Sequence, residues 1–119
     1  MPNLRKNKIH CENYRSEIEI TLELINGKWI VLLIMLLAEE KVVRFNEFRK
    51  SFPDITQKML SQQLKKLEEH KIVQKEVYPE VPPKVEYRLT KEGEELIPIL
   101  EQMQKWGESF LSNRKANEN

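Results

Sequence analysis

The most informative side chains of the sequence lie in residues 56–68, where their types and spacing predict a helix with one apolar face and one polar face. Leu60, Leu64 and Leu67 recur at intervals of four and three residues, so a helix here would turn one apolar stripe toward a core. A polar face without acids would lie opposite, made of Lys58, Ser61, Gln62 and Lys65. Such a face fits the major groove of DNA, where base edges offer complementary donors and acceptors. Gln and Lys are also common on ordinary solvent-exposed helices. The neighbouring segments must therefore distinguish a DNA-binding helix from an ordinary surface helix.

The segment before this helix predicts a shorter helix at the spacing of a helix-turn-helix. Residues 45–52 have apolar side chains at helical intervals, and Pro53-Asp54-Ile55 follows as a turn. Asp54 or Thr56 is placed to cap the next helix, because either side chain can accept a hydrogen bond from a free backbone N–H. The two helices together indicate a helix-turn-helix motif, whose second helix contacts the base edges of DNA.

The segment after the helix predicts a β-hairpin. Residues 72–78 and 84–90 alternate apolar and polar side chains, and the five residues between them include three prolines that would stiffen the tip. A short strand at residues 42–44 would join the same sheet. A hairpin in this place is the wing of a winged helix. The predicted fold class is therefore α+β and mainly helical, a winged helix-turn-helix with a two- to three-stranded wing sheet.

Helices are also predicted at both ends of the domain. Ser16 and Glu19 form a capping box, which begins a first helix that Asn26-Gly27 would end. A buried apolar helix at residues 28–39 comes next, and a last helix covers about residues 91–113. The expected organisation is a flexible N-terminal arm, one folded domain and a flexible tail, at residues 1–15, 16–112 and 113–119.

Four blocks that follow one another within residues 22–110 resemble the signature of the HxlR family of bacterial transcriptional regulators. In order they are Gly27-Lys28-Trp29, residues 44–48, residues 55–64, and residues 78–87 followed by Leu89-Thr90 and Gly93. The ordered set is far more specific than any one block. The resemblance implies a dimeric winged helix-turn-helix protein that binds DNA and regulates transcription, with some members that respond to electrophiles or oxidants.

The charge distribution agrees with DNA as the partner. The chain has a net charge of only +1, but residues 41–75 hold nine Lys or Arg against four acids, whereas residues 76–110 hold four against eight. Basic charge that is concentrated on the predicted helix-turn-helix is the electrostatic footprint of nucleic-acid binding.

We expect the helix at residues 56–70 to lie in the major groove and the wing at residues 78–87 to lie on the flanking backbone or minor groove. Glutamines of the helix could pair with adenine, and its lysines could reach guanine or phosphate. Lys84 follows the prolines of the tip, which would hold it outward, while Arg44 could contact phosphate or pair with Glu47. The predicted DNA contacts are Arg44, Asn46, Thr56, Gln57, Lys58, Ser61, Gln62, Lys65 and Lys84.

The last helix carries more apolar residues than one small winged helix can cover. They either fold back onto the core of the same chain or pack with the first helix against a second copy, and we favour the homodimer. A two-fold dimer would set two recognition helices about 34 Å apart, one turn of DNA, on a palindromic operator. The expected dimer residues are Ile18, Leu22, Met103, Trp106, Phe110 and Leu111.

Cys11 is the only cysteine and a candidate redox sensor. The resemblance suggests this role, because family members that sense electrophiles use a cysteine near the start of the first helix. His10, Lys8 and Arg15 would favour its thiolate, whereas Glu12 would oppose it. The alternative is an incidental exposed thiol.

The sequence lacks the motifs that are typical of enzymes and of metal-binding proteins. Three glycines provide no glycine-rich phosphate loop, and two histidines with one cysteine show neither a catalytic arrangement nor the spacing of a zinc site. We therefore expect no enzyme activity, no cofactor and no metal. The rival function is a winged helix that only binds another protein, which would need an acidic or apolar face at residues 56–68.

Nothing in the sequence indicates export or a membrane. The apolar run at residues 29–38 is ten residues long, whereas a spanning helix needs roughly 20. No apolar segment follows the basic residues near the N-terminus, so no signal peptide is expected. A single cysteine cannot form an intrachain disulfide, which agrees with a reducing cytoplasm.

Overall fold

The computed structural model describes residues 16–118, and that range contains five helices and three strands. The elements in chain order are α1 Glu17–Leu24, α2 Lys28–Glu40, β1 Val43–Arg44, α3 Phe45–Ser51, α4 Gln57–Glu69, β2 Val73–Tyr78, β3 Lys84–Leu89 and α5 Lys91–Glu118. The strands form one antiparallel sheet in the order β1, β3, β2. The mainly helical α+β fold predicted from the sequence is confirmed. The candidate sensor Cys11 lies outside the described residues.

The first two helices begin where the sequence predicts. The Ser16 hydroxyl accepts a hydrogen bond from the Glu19 N–H at 3.2 Å, and Ser16 itself is buried. Gly27 has a φ of 110°, which L side chains rarely adopt, and this glycine turns the chain from α1 into α2. The helix cap at Ser16 therefore determines where α1 begins, and Gly27 determines where the chain turns into α2.

α2 is the central buried helix, and the leucine stripe of α4 packs with it. Four side chains of α2 are at most 1% exposed, as are Leu60, Leu64 and Leu67 of α4. The buried Phe48 ring of α3 meets the Tyr87 ring of β3 edge-on, with 5.9 Å between the ring centres. Each fully buried leucine contributes roughly 1.5–3 kcal/mol, so the stripe fixes the orientation of α4 on the domain.

Membrane spanning by one helix is not supported within residues 16–118. None of the helices there is both long and apolar enough to cross a bilayer. α1 and α2 meet the criteria of length and composition only as a pair, and the chain bends by 81° between them. The fully buried side chains of α2 belong to the protein core.

The wing is the hairpin of β2 and β3, with β1 added beside β3. The hairpin pairs Val73 with Leu89 at its base and Tyr78 with Lys84 at its tip. Val73 is 2% exposed, but Val77, on the same face, is 57% exposed. The helices therefore cover the base of the hairpin and leave its outer half at the surface.

α5 is tied to the start of β2 by its first turn. The Thr90 hydroxyl donates to the Lys71 carbonyl at 2.6 Å and accepts from the Gly93 N–H at 3.1 Å. The helix continues to Glu118, five residues beyond the end that the sequence predicts near Asn113. Most of the segment predicted as a separate tail is therefore helical.

We expect Gly93→Ala to destabilise the protein by about 1–3 kcal/mol. A Cβ at Gly93 would collide with the Ile72 carbonyl oxygen and lie 3.1 Å from Leu89 Cδ2. Gly107→Ala in the same helix is the control; a Cβ there has nothing within 4 Å, and alanine is expected to stabilise the helix by up to about 1 kcal/mol. Urea unfolding followed by circular dichroism measures both, and equal stabilities would contradict the steric argument.

Candidate nucleic-acid interface

α4 presents two chemically different faces, as its sequence predicts. Thr56 rather than Asp54 caps it, because the Thr56 hydroxyl accepts a hydrogen bond from the Met59 N–H at 3.1 Å. The leucine stripe holds one face in the core, so the other face is held toward solvent. Between residues 57 and 65 this exposed face has no acid and consists of Gln57, Lys58, Ser61, Gln62 and Lys65, and Glu68 and Glu69 follow at the end of the helix.

The turn between α3 and α4 is held by apolar side chains. Ile55 is 1% exposed, and its N–H donates to the Phe52 carbonyl at 3.1 Å. The Phe52 ring lies edge-on to the Trp29 ring of α2, with 6.0 Å between the ring centres. The turn is thus anchored to the central helix, and the core sets the direction in which the polar face of α4 points.

Arg44 and Asn46 extend the polar surface at the start of α3, where both are exposed. The Glu47 carboxylate accepts a hydrogen bond from the Arg44 backbone N–H at 2.7 Å, so Glu47 satisfies the beginning of the helix. The Arg44 guanidinium forms no ion pair with any residue between 16 and 118. The predicted alternative of an Arg44–Glu47 contact therefore involves the backbone of Arg44 and leaves its side chain available.

Lys84 lies along the wing sheet instead of projecting from the tip. Its Nζ is 3.5 Å from a Glu86 carboxylate oxygen and 4.9 Å from the centre of the Tyr78 ring, and its side chain is 29% exposed. Lys84 and Glu86 are two residues apart on one strand, so they share a face of the sheet and their opposite charges attract. Lys84 is thus on the face of β3 opposite the buried Tyr87 and is paired with Glu86 rather than free, and its contact with DNA stays a prediction.

Tyr78 and Tyr87, the two tyrosines of the wing, are packing residues whose phenols are neutral. Partial burial, and then the nearby Glu76 and Glu86 carboxylates, raise the pKa of Tyr78 above the ordinary value of 10.0. Burial and then the Glu68 carboxylate raise the pKa of Tyr87, which is 6% exposed. Both phenols therefore keep their protons at neutral pH and add no negative charge beside the basic surface.

The predicted set of contacts omits Lys75, which lies beside α4. A groove of about 560 Å³ between α3, α4 and the sheet is lined by Ser61, Lys65 and Lys75, and at the end of α4 also by Glu68 and Glu69. Lys75 is exposed and pairs in register with Tyr87, a residue of the inward face. The position of Lys75 could have been predicted from the sequence, because the alternation of side chains along β2 puts Lys75 on the same face as the buried Val73.

The predicted dimer residues form an exposed apolar surface on α1 and α5. Their exposure ranges from 38% for Phe110 to 69% for Trp106, and none of them belongs to the buried core of the described chain. The Trp106 and Phe110 rings stack with centres 5.2 Å apart, and Leu22 and Met103 line one groove of about 340 Å³. The alternative in which these residues fold back onto the core of their own chain is therefore not observed.

The fold and the site together define a class, the winged helix-turn-helix transcriptional regulators. The helix-turn-helix, the three-stranded wing and the exposed polar face of α4 all meet the description of that class. Comparison with known proteins gives the particular family. The profile of the HxlR-like helix-turn-helix family matches residues 24–115, and the chain belongs to the HxlR family.

Named relatives agree with this assignment. Two HTH-type transcriptional regulators of Bacillus subtilis (strain 168), both described as uncharacterized, are 50% identical to this chain. The match to YdeP covers 78% of this chain and 72% of YdeP, and the match to YybR covers 90% and 81%. A solved structure of the redox regulator HypR in its reduced form is 48% identical with a TM-score of 0.78, over 85% of this chain and 99% of HypR.

Proposed function

We propose that this regulator binds double-stranded DNA sequence-specifically as a homodimer, with α4 in the major groove and the wing on the flanking backbone or minor groove. The observation that carries the proposal is the exposed polar face of α4, which has no acid between residues 57 and 65 and lies opposite a stripe fixed in the core. Amide and hydroxyl groups can read base edges, and ammonium groups can contact guanine or phosphate. A regulator must reach chromosomal DNA, so we place its action in the cytoplasm.

Electrostatics supports DNA rather than protein as the target of this face. Arg44, Lys58, Lys65 and Lys75 are exposed around α4, and none of them forms an ion pair within the described part of the chain. Unpaired cations attract phosphate over a distance of about one Debye length, about 10 Å at 0.1 M salt. A winged helix used only for protein binding would need an apolar or acidic face here, whereas residues 57–65 of α4 present a polar and basic one.

The homodimer is supported by the apolar surface of α1 and α5. On α5, Ile99, Met103, Trp106 and Phe110 follow one another at intervals of four, three and four residues, and all are exposed. This is the spacing of a helix-packing seam. A second copy related by a two-fold axis would cover it, and would present two copies of α4 to a palindromic operator.

Gln62→Ala is expected to weaken binding to the operator by roughly 1–3 kcal/mol and to leave binding to random DNA almost unchanged. The reason is that a bidentate contact between glutamine and adenine depends on the base, whereas phosphate contacts do not. Fluorescence anisotropy measures both affinities, with an operator first selected from genomic fragments. Equal losses on both DNAs would show that Gln62 reads no base.

Two further variants serve as comparisons for Gln62→Ala in this measurement. Gln104→Ala replaces an exposed glutamine of α5 that lies on the opposite side of the helix from Ile99 and Trp106, and it is expected to change neither affinity. Lys84→Ala is expected to weaken operator and random DNA by similar amounts, since it would lose a phosphate contact. The loss is expected to be smaller than for an unpaired lysine, because DNA must compete with Glu86 for the ammonium group.

Cys11 is the proposed redox sensor of this regulator. Support comes from its similarity to HypR, which is described as a redox regulator. A disulfide between two Cys11 residues of a dimer would need Cα atoms within about 7 Å of each other; otherwise a small molecule must cap the cysteine. Diamide is expected to change the DNA affinity of the wild type and not that of Cys11→Ser. The same response in both proteins would leave Cys11 as an incidental thiol.

A further inference from the structure

The exposed apolar residues of α5 have the same spacing in both directions along the helix. Ile99, Met103, Trp106 and Phe110 are separated by four, three and four residues, and their exposure ranges from 38% to 69%. A helix has 3.6 residues per turn, so the four side chains lie on one side of α5 and form a single seam. When this seam is laid against a copy that runs in the opposite direction, every seam residue can face another seam residue.

Only one antiparallel register pairs all four seam residues. It sets Ile99 opposite Phe110 of the second copy and Met103 opposite Trp106 of the second copy, with the two-fold axis between residues 104 and 105. Each pair then combines one aromatic ring with one smaller apolar side chain. A parallel pairing would instead set each residue against itself, with ring against ring at one end. Alternation of large and small side chains fills an interface better.

The charges along α5 also favour the antiparallel direction. Residues 91–95 carry three acids and one lysine, whereas residues 111–117 carry Arg114, Lys115 and no acid. An antiparallel pair brings the acidic beginning of each helix to the basic end of the other, and a parallel pair brings acid to acid. Glu95 and Arg114 come to the same level in the register described above, because each stands four residues outside the seam.

The groove of about 340 Å³ beside Met103 offers a place for the Trp106 ring of the second copy. Its apolar walls include Leu22, Ile25 and Val31, from α1, the following turn and α2. Because the register sets Trp106 of the second copy opposite Met103, the indole comes to the mouth of this groove. Trp106 is also the most exposed residue of the seam, at 69%.

We propose that two copies pair through α5 in this antiparallel register, and that Trp106 of each copy fills the groove beside Met103 of the other. The proposal rests on the homodimer of the proposed function and names the contacts that hold it. The second copy would then contact α1 and α2 as well as α5, so one interface would include three of the five helices.

Disulfide crosslinking tests the register, in the full chain with Cys11→Ser so that no native thiol reacts. Ile99→Cys and Phe110→Cys proteins are oxidised with diamide, separately and mixed. The mixture is expected to form crosslinked dimers, because facing Cα atoms can lie within about 7 Å. Each variant alone is expected to stay uncrosslinked, since its two cysteines are eleven residues of helix apart, about 16 Å. The reverse pattern would indicate parallel helices and overturn the proposal.

Sedimentation separates failure of the register from failure of the proposed function. A wild type that sediments as a monomer would overturn the homodimer and the register together. A dimer whose single variants crosslink would overturn the register and leave the homodimer standing. If Phe110→Cys no longer sediments as a dimer, Glu95→Cys and Arg114→Cys are mixed instead and linked with a short bismaleimide, and the same pattern is expected.

The groove is tested by variants of α1 and by fluorescence. Leu22→Ala is expected to raise the dimer Kd by about tenfold or more, because each dimer has two grooves. Ile20→Ala is the matched control; Ile20 is 42% exposed on α1 but lies outside the groove. With Trp29→Phe, Trp106 is the only tryptophan, and its emission is expected to move to shorter wavelengths as the dimer forms. Emission that does not move, or a Leu22→Ala protein that dimerises like the wild type, would overturn the proposal.

Discussion

The affinity of the protein for its operator is expected to fall about a thousandfold when salt rises from about 50 to about 200 mM. If the two subunits together contact about six phosphates, the logarithm of the binding constant falls against the logarithm of salt with a slope near −5. Each subunit has the cations for this around α4, and Arg44, Lys58 and Lys65 need to break no ion pair with a described residue to reach phosphate. Anisotropy measured across a salt series gives the slope.

The lysines of the chain provide an internal test of that slope. Lys58→Ala on α4 is expected to reduce its magnitude by about one per subunit, because one fewer counterion is released from the DNA. Lys105→Ala replaces an exposed lysine of α5 and is expected to leave the slope unchanged. A slope near zero, or no binding to any genomic fragment at low salt, would contradict the proposal of DNA binding.

The helix-turn-helix was predictable because its signals are local. The stripe of Leu60, Leu64 and Leu67 and the cap at Thr56 act within one helix, and each determines a face or an end without help from distant residues. The exposed set of α4 followed directly from the stripe, since a helix buried on one side must expose the other. DNA contact by these residues stays a prediction.

The wing was less predictable because its surface depends on neighbours in three dimensions. Alternation placed Val73 and Val77 on one face, but only the position of the helices makes the first buried and the second exposed. The orientation of Lys84 likewise depends on Glu86 and on the Tyr78 ring across the hairpin. Proline stiffness at the tip does not determine where a side chain of the following strand points.

The end of α5 could not be predicted from the apolar periodicity of the sequence. The apolar pattern of the helix stops at Leu111, so periodicity gives no reason to continue it. The helix nevertheless extends to Glu118, through Arg114, Lys115 and Ala116, which are exposed and are good helix formers. Arg114 also lies over the Phe110 ring at 4.6 Å, a contact between neighbouring turns. Propensity and local contacts, rather than burial, account for these last turns.

Trp106→Ala combined with Phe110→Ala is expected to convert the protein to monomers. The two rings stack on each other at the surface and are 69% and 38% exposed, so each chain can lose them without opening its own core. Burying an aromatic side chain contributes roughly 1.5–3 kcal/mol, and a two-fold dimer would lose two from each subunit. The dimer Kd is therefore expected to rise by at least about a hundredfold, measured by sedimentation equilibrium.

Operator binding is expected to weaken along with the dimer, because a monomer holds one half-site and loses the effective concentration that links the second α4 to its half-site. Val77→Ala is the matched control, since Val77 is also an exposed apolar residue, at 57%, but lies on the wing. It is expected to leave sedimentation unchanged. A double variant that still sediments as a dimer would place the interface elsewhere, and one that loses its helical circular dichroism would make Trp106 and Phe110 part of the fold of the single chain.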